Sequence, residues 1–319
     1  MKKVALCGAW HVHAVDYTKK TLETEGVELI GFYESDDGLA AAYSEKFPEV
    51  KRFGSFEELL SSDAEGVIVC TSSDTHADYM VRIAEAKKHI FTEKVLALTE
   101  ADCLRVKKAV EDNGVDFVIS LVWKYDRNIR TVKKLVDDGK LGRVNYMRFR
   151  NTHGGSIMGW LPEHFFNAKE CGGGAMIDLG AHGMYITDWF MGEPDAYSSA
   201  FKVWDNNEKN INRLEDNAVT LMSYADGRIA VNETGFVSMT DPRTLEVSGD
   251  KGFVRSTAGG EVLVSCVDNG KKMAPAEPEP SLPSPIEQFL SGNILEGCGM
   301  NEAIRLTRMM IGAYGNIMQ

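Results

Sequence analysis

Three groups of residues have the types and spacing to move a proton or steady a developing charge. In Asp178-Leu-Gly-Ala-His182 a carboxylate precedes an imidazole by four residues, and Tyr185 follows three later. On a helix, that spacing places them on one face. A carboxylate beside an imidazole can keep one ring nitrogen protonated and leave the other to accept a proton. Free imidazole titrates at about 6.5, which suits general base work near neutrality. On spacing alone a solvated pair is the better explanation of Asp178 and His182, and the rest of the chain has to decide.

The second group is Glu93-Lys94, an ammonium with an acid beside it that can tether it. The third is Glu34, which follows Phe32-Tyr33 and stands 26 residues after Gly8. An acid there can accept from a ribose 2′-hydroxyl and would repel a 2′-phosphate, which favours NAD over NADP. His11 and His13 lie two apart with no third ligand near them, so no metal site is expected.

The elements that must position these residues read clearly in the first third. Apolar runs at 4–7, 27–33, 66–71, 89–92 and 116–121 read as strands, with helical stretches near 12–24, 37–47, 76–86 and 99–113 between them. Such alternation builds a parallel sheet with helices on both faces, which binds ligands beyond the carboxyl ends of its strands. Glu34 and Lys94 both fall at such ends, as does Thr71-Ser72-Ser73-Asp74-Thr75-His76, whose hydroxyls and Asp74 are expected to cap the following helix. Thr99-Glu-Ala-Asp102 reads as another helix start. A dinucleotide fingerprint would set glycines at 8, 10 and 13; Gly8 is present, and Trp10 and His13 fill the other two places. The turn Gly8, Trp10, His11 and Val12 still leads to a helix N-terminus whose free N–H groups can face a phosphate.

Later, a glycine turn at 172–174 opens a helix over 174–190, with Met176, Ile177, Ile186, Trp189 and Phe190 at helical spacing. A helix is expected near 128–138, a strand at 143–151, and further strands at 218–225, 228–237, 243–249, 252–256 and 261–267. Asp226-Gly227 marks a hairpin. The segment 153–171 reads as a loop over the cleft, where Trp160 could stack on a sugar ring. The five prolines of 274–285 mark a connecting loop. Met300–Met318 reads as an amphipathic helix whose Ile304, Met309 and Ile311 are expected in the core.

At 319 residues the chain can hold two domains, each with its own core. The formal net charge of −12 argues against a nucleic-acid groove or an anionic membrane surface. No apolar run is long enough to span a bilayer. Six scattered cysteines without a Cys-x-x-Cys pair read as thiols of a cytoplasmic protein.

Taken in order, Gly8, the acid after strand two, 71–76, Glu93-Lys94 and Gly172-Gly173-Gly174 leading to Asp178-x-Gly-x-His182 resemble the Gfo/Idh/MocA oxidoreductases along nearly the whole chain. The resemblance implies an α/β Rossmann domain at 1–122, and a substrate-binding and oligomerisation domain at 123–319 with an open, mostly antiparallel sheet. It implies that NAD is held by Gly8, Trp10, His11, Val12, Glu34, Thr71, Ser72, Ser73, His76, Glu93 and Lys94. Lys94, Asp178 and His182 match the family's catalytic residues, and Lys124, Trp160 and Tyr185 are expected to meet substrate. The family also implies a homodimer or homotetramer formed through the second-domain sheet. Val95 replaces the proline that usually follows Glu-Lys, which removes the ready cis option of that peptide. Lys124 stands where arginine is usual, and Tyr185 where an acid is common.

The expected function is therefore NAD-dependent oxidation of a secondary alcohol in a sugar, polyol or inositol-like compound. Two alternatives are redox-assisted glycoside cleavage with retained NAD, and a non-catalytic NAD- or sugar-binding sensor or scaffold.

Overall fold

A computed structural model of the chain describes residues 1–240 and 243–318. The chain divides into two compact units, Met1–Ser120 with Pro283–Thr307 and Leu121–Leu282 with Arg308–Gln319.

The first unit alternates strand and helix. In order it holds β1 (Lys2–Cys7), α1 (Ala14–Glu23), β2 (Val27–Tyr33), α2 (Asp37–Lys46), α3 (Phe56–Ser61), β3 (Gly66–Val69), α4 (His76–Glu85), β4 (His89–Thr92), α5 (Glu100–Asn113) and β5 (Phe117–Ile119). The strands pair in parallel in the order β2-β1-β3-β4-β5. Strand order reverses between β1 and β3, which is where such sheets bind ligands. The central strands read as continuous apolar runs because both faces are covered. Thr99 accepts from the Asp102 N–H at 3.1 Å, so α5 starts as its sequence indicates. The expected side-chain cap at α4 does not form: Thr75 occupies the N-cap position, but its hydroxyl turns back to the Ser72 carbonyl and hydroxyl, and the Ser72 hydroxyl donates to Asp74. The short α3 has too few residues to show a period; only its start is marked, by Ser55-x-x-Glu58, where the Ser55 hydroxyl accepts from the Glu58 N–H at 3.1 Å.

The second unit holds α6 (Arg127–Asp137), β6 (Val144–Thr152), α7 (Ala168–Cys171), a π-helical turn (Met176–Gly180), α8 (Ala181–Met191), β7 (Ala196–Lys202), β8 (Asn217–Ser223), β9 (Ile229–Gly235), β10 (Thr244–Gly249), β11 (Gly252–Thr257), β12 (Leu263–Cys266) and β13 (Ala274–Pro275). Its sheet runs β13-β12-β11-β10-β6-β9-β8-β7. Every neighbouring pair is antiparallel except β6 with β9. Asp226-Gly227 forms the β8–β9 hairpin, with Gly227 at φ 91°. Strands β8 and β9 alternate buried and exposed residues, and the buried row meets the π-helical turn and α8. The other row leaves Val219, Leu221 and Ile229 exposed. Strand β7 was not foreseen, because Ala-Tyr-Ser-Ser-Ala carries few of the branched residues that mark strands.

The last helices are α9 (Pro285–Ser291) and α10 (Met300–Gly315). Ser284 and Glu287 form a reciprocal capping box at the start of α9. Ile304 and Met309 are buried as expected, whereas Ile311 is 45% exposed, since the helix's buried stripe passes through Leu306, Met310 and Ala313. No described helix is long and apolar enough to cross a membrane.

Candidate active site

In the first unit, the loop after β1 is drawn tightly against the end of β3. Gly8 has φ 91°, and a Cβ there would strike the backbone of Cys70 and Thr71, so both the conformation and the space require glycine. The His11 N–H then donates to the Cys70 carbonyl at 3.0 Å. Glu34, buried at the end of β2, accepts from the N–H groups of Ala9 at 2.6 Å and Asp36 at 2.9 Å and from the Ser35 hydroxyl at 3.3 Å. A carboxylate has about four acceptor positions, so capacity remains for a ribose hydroxyl. The Thr71 hydroxyl is buried without a hydrogen-bond partner. An open glycine loop, an acid after β2 and a buried, unsatisfied hydroxyl at the β3 end fit a dinucleotide. Trp10 and His11 are buried, Val12 is exposed, and Ser72 and Ser73 are partly exposed.

Glu93 and Lys94 follow β4, and both are buried. The Lys94–Val95 peptide is cis, although proline is absent; the expected loss of the cis form therefore does not occur. His76, expected on the cofactor, is buried beneath this segment, its Nδ1 3.0 Å from the Val95 carbonyl oxygen. Burial lowers its pKa and favours the neutral ring.

Glu93 is only 1% exposed. Its Oε1 accepts from the Tyr17 hydroxyl and lies 2.9 Å from His13 Nδ1, and its Oε2 accepts from the Lys94 N–H at 3.1 Å. Burial alone would raise its pKa, but His11, His13 and Lys94 outweigh that and hold the carboxyl well below its usual range. Burial and the Glu93 charge together push the Tyr17 phenol up. Glu93 thus serves as the buried counter-charge of this end of the sheet.

In the second unit, the segment carrying Asp178 is wider than the expected α-helix. Met176–Gly180 forms a π-helical turn that leads straight into α8. Such turns insert a residue, so four-residue spacing there no longer means one α-helical face. The cause is visible in the supports on either side. Glu215 accepts from the Gly174 N–H at 2.9 Å, the Met176 N–H at 3.1 Å and the Tyr314 hydroxyl at 2.6 Å, while its own carbonyl accepts from the Ala175 N–H at 2.8 Å. The helix entrance is thus capped from a distant segment, and no local capping residue is needed. A Cβ at Gly173 would strike Tyr314 and one at Gly174 would strike Glu215, so the glycines permit this approach. At the far end of the turn Asn232 donates to the Gly180 carbonyl at 2.7 Å.

His182 is buried, with Nδ1 2.8 Å from the Tyr185 hydroxyl. Tyr185 is 2% exposed, and its oxygen also accepts the Trp123 N–H at 3.1 Å. Tyr185, expected to meet substrate, thus stands within hydrogen-bonding distance of the imidazole. If Nδ1–H donates to the tyrosine oxygen, Nε2 is the nitrogen that exchanges a proton. The Trp123 ring meets His182 edge-on at 5.9 Å, and the Arg243 guanidinium lies 3.7 Å above that indole. Asp178 is partly exposed on the wide turn. Lys124 is buried, its ammonium 5.5 Å from the Trp189 ring centre. Trp160 is 51% exposed and its ring lies 4.6 Å from that of His153, available for stacking.

Glu215, Tyr314, Asn232, Trp123 and Arg243 were missed from the sequence. Only Trp123, beside Lys124 in an aromatic cluster, carried a local signal. The others act on the motif from distant segments.

Comparison with known proteins gives two family models that together span most of the chain. Residues 2–120 match the oxidoreductase family with an NAD-binding Rossmann fold, and residues 129–255 match the GFO/IDH/MocA C-terminal domain. The inositol 2-dehydrogenase of Salmonella typhimurium is 27% identical over 75% of this chain and 69% of its own. The aldose–aldose oxidoreductase of Caulobacter crescentus, solved with glycerol, superposes with a TM-score of 0.81 at 20% identity, over 99% of this chain and 97% of its own. An oxidoreductase from Agrobacterium radiobacter, solved with NAD+, L-tartaric acid and magnesium, gives a TM-score of 0.80 at 18% identity over 99% and 96%.

Proposed function

Because this chain belongs to the GFO/IDH/MocA family of NAD-binding oxidoreductases, we propose that it is an NAD-linked dehydrogenase acting on a secondary alcohol of a sugar, polyol or inositol-like compound. The observation that carries this reading is His182, a buried imidazole whose Nδ1 is fixed by an equally buried tyrosine hydroxyl. A base oriented in this way is built to take a proton at Nε2.

In this mechanism His182 accepts the proton of the substrate hydroxyl. Tyr185 keeps the ring in one orientation, and Trp123 and the capped π-helical turn hold Tyr185 and Asp178. Asp178 supplies negative charge to the imidazole as it gains a proton. Lys94 donates to the carbinol oxygen and stabilises the charge developing there. When bound, the nicotinamide cofactor supplies the hydride acceptor. Gly8, Trp10, His11, Val12, Thr71, Ser72 and Ser73 would line its phosphates and ribose. Glu34 would accept from the ribose and favour NAD over NADP.

Trp160 would stack on the substrate ring, and Lys124 would reach its hydroxyls. All six cysteines remain buried thiols, in keeping with the reducing cytoplasm. The exposed row of Val219, Leu221 and Ile229 would join copies of the chain into a dimer or tetramer.

Incubation with NAD or NADP and a panel of inositols, sugars and glycosides, with absorbance and product mass read together, tests this reading. NADH should accumulate with at least one polyol, and faster than NADPH does. His182→Asn should lower turnover by about 10²–10⁴-fold. Unchanged turnover in that variant, or product without net NADH, would overturn the proposed reaction.

A further inference from the structure

The first unit brings together His13 and two residues expected near the cofactor, His11 and Glu93. The side chains of His11, His13 and Glu93 each offer a ligand atom, and these atoms lie within 4.8 Å of one another. His11 and His13 lie within the loop between β1 and α1, and Glu93 follows β4, so the fold supplies from afar the third ligand that the sequence lacks. We propose that this cluster is a binding site for a divalent transition-metal ion, with zinc as its natural occupant.

The donor set decides the class of ion. Two imidazoles and one carboxylate suit zinc, cobalt or nickel, whereas magnesium and calcium prefer all-oxygen surroundings. Two histidines and a glutamate with one open position are also a common arrangement for zinc that keeps a water or substrate ligand. A tetrahedral ion with bonds of about 2.0–2.2 Å needs its donors roughly 3.4 Å apart. The widest separation must therefore close modestly, and rotation of the half-exposed His13 ring is available for this. The His11 Nδ1 accepts a long bond, 3.2 Å, from the His13 N–H, which leaves Nε2 as its ligand atom.

Three further features agree with a metal. His13 is the N-cap residue of α1 yet makes no capping bond, because its ring turns to Glu93 instead. Tyr17 supports the Glu93 oxygen from behind, as outer hydrogen bonds commonly do for carboxylate ligands. His13 also occupies a fingerprint glycine position, with Trp10 in another. A metal bridge from this loop to β4 would hold the loop in place of the usual glycine turn.

The test uses full-length protein stripped with a chelator. Titration with Zn2+ followed by calorimetry should show one ion bound per chain, and Zn2+ should raise the melting temperature where Mg2+ does not. His13→Gln, at a half-exposed position, should weaken Zn2+ binding by at least about a hundredfold, and His11→Gln by a similar factor. Co2+ should give the intense visible bands of a tetrahedral site, and His13→Cys should keep Co2+ and add a thiolate-to-metal charge-transfer band. That last readout stands even if His11→Gln fails to fold. Absence of saturable Zn2+ binding, binding unchanged in His13→Gln, or no new band in His13→Cys would each overturn the site.

Discussion

Each unit is organised around a buried carboxyl group, and the two are held in opposite ways. Glu93 in the first unit is surrounded by His11, His13 and Lys94, which keep it ionised despite burial. Among the described residues, the donors to Glu215 in the second unit are neutral, two backbone N–H groups and a phenol. Burial therefore wins there, and its pKa is raised. Burial in turn pushes the Tyr314 phenol up, with the Glu215 charge adding to the effect. The same residue type thus serves as a counter-charge for cations in one unit and as a cap for a helix entrance in the other. What decides between these roles is whether formal positive charge lies within reach.

Glu93→Gln is the harshest way to probe this contrast. It leaves His11, His13 and Lys94 without their buried counter-charge, and loss of one partner from such a cluster costs about 3–5 kcal/mol. A group with a depressed folded-state pKa contributes stability above its unfolded pKa and loses it as pH falls through the folded value. Wild-type protein should therefore lose stability on the acid side over that range, and Glu93→Gln should flatten this arm in melts recorded against pH. A variant as stable as wild type would break the contrast.

Tyr185→Phe should have an intermediate effect. It removes one hydrogen bond to the imidazole, worth about 0.5–1.5 kcal/mol, so kcat should fall roughly tenfold with little change in KM. A KM change alone would return Tyr185 to the substrate-contact role expected from the sequence.

The smallest effect is expected at Glu215→Gln. The amide oxygen can still accept from Gly174, Met176 and Tyr314, so stability near neutrality should change by less than about 1 kcal/mol. Because the folded pKa of Glu215 is raised, its contribution is fully present below the unfolded value of about 4.3 and fades as pH rises through the folded value. The variant should lack that decline. Persistence of the decline would assign it to another group.

Local patterns made much of the fold legible. Strand–helix alternation revealed the parallel sheet, and Asp226-Gly227 revealed the hairpin, because both depend on residues close in sequence. The site was legible only where its motifs are contiguous. Glu34, Glu93-Lys94 and Asp178-x-Gly-x-His182 stand out as candidates in the sequence, but the groups that support them do not. Glu215 caps a turn 41 residues before it, and Tyr314 meets Glu215 from 99 residues further on. No window-based reading links such positions. The π-helical turn was hidden for the same reason, since its supports at Glu215 and Asn232 lie on other elements. His11 and His13 lacked a third ligand in sequence because Glu93 reaches them only through the pairing of β1, β3 and β4.

The proposed reaction gives a role to Lys94 and another to His182, and replacing both tests it most directly. Lys94→Ala, His182→Ala and the double variant should be compared with wild type on a polyol that reduces NAD. Residues that act as a unit give strongly non-additive losses. Each single change should cost at least about a hundredfold, and the double variant should be little slower than the worse single one. Losses that multiply in full, or a Lys94→Ala enzyme with near-normal turnover, would contradict the account.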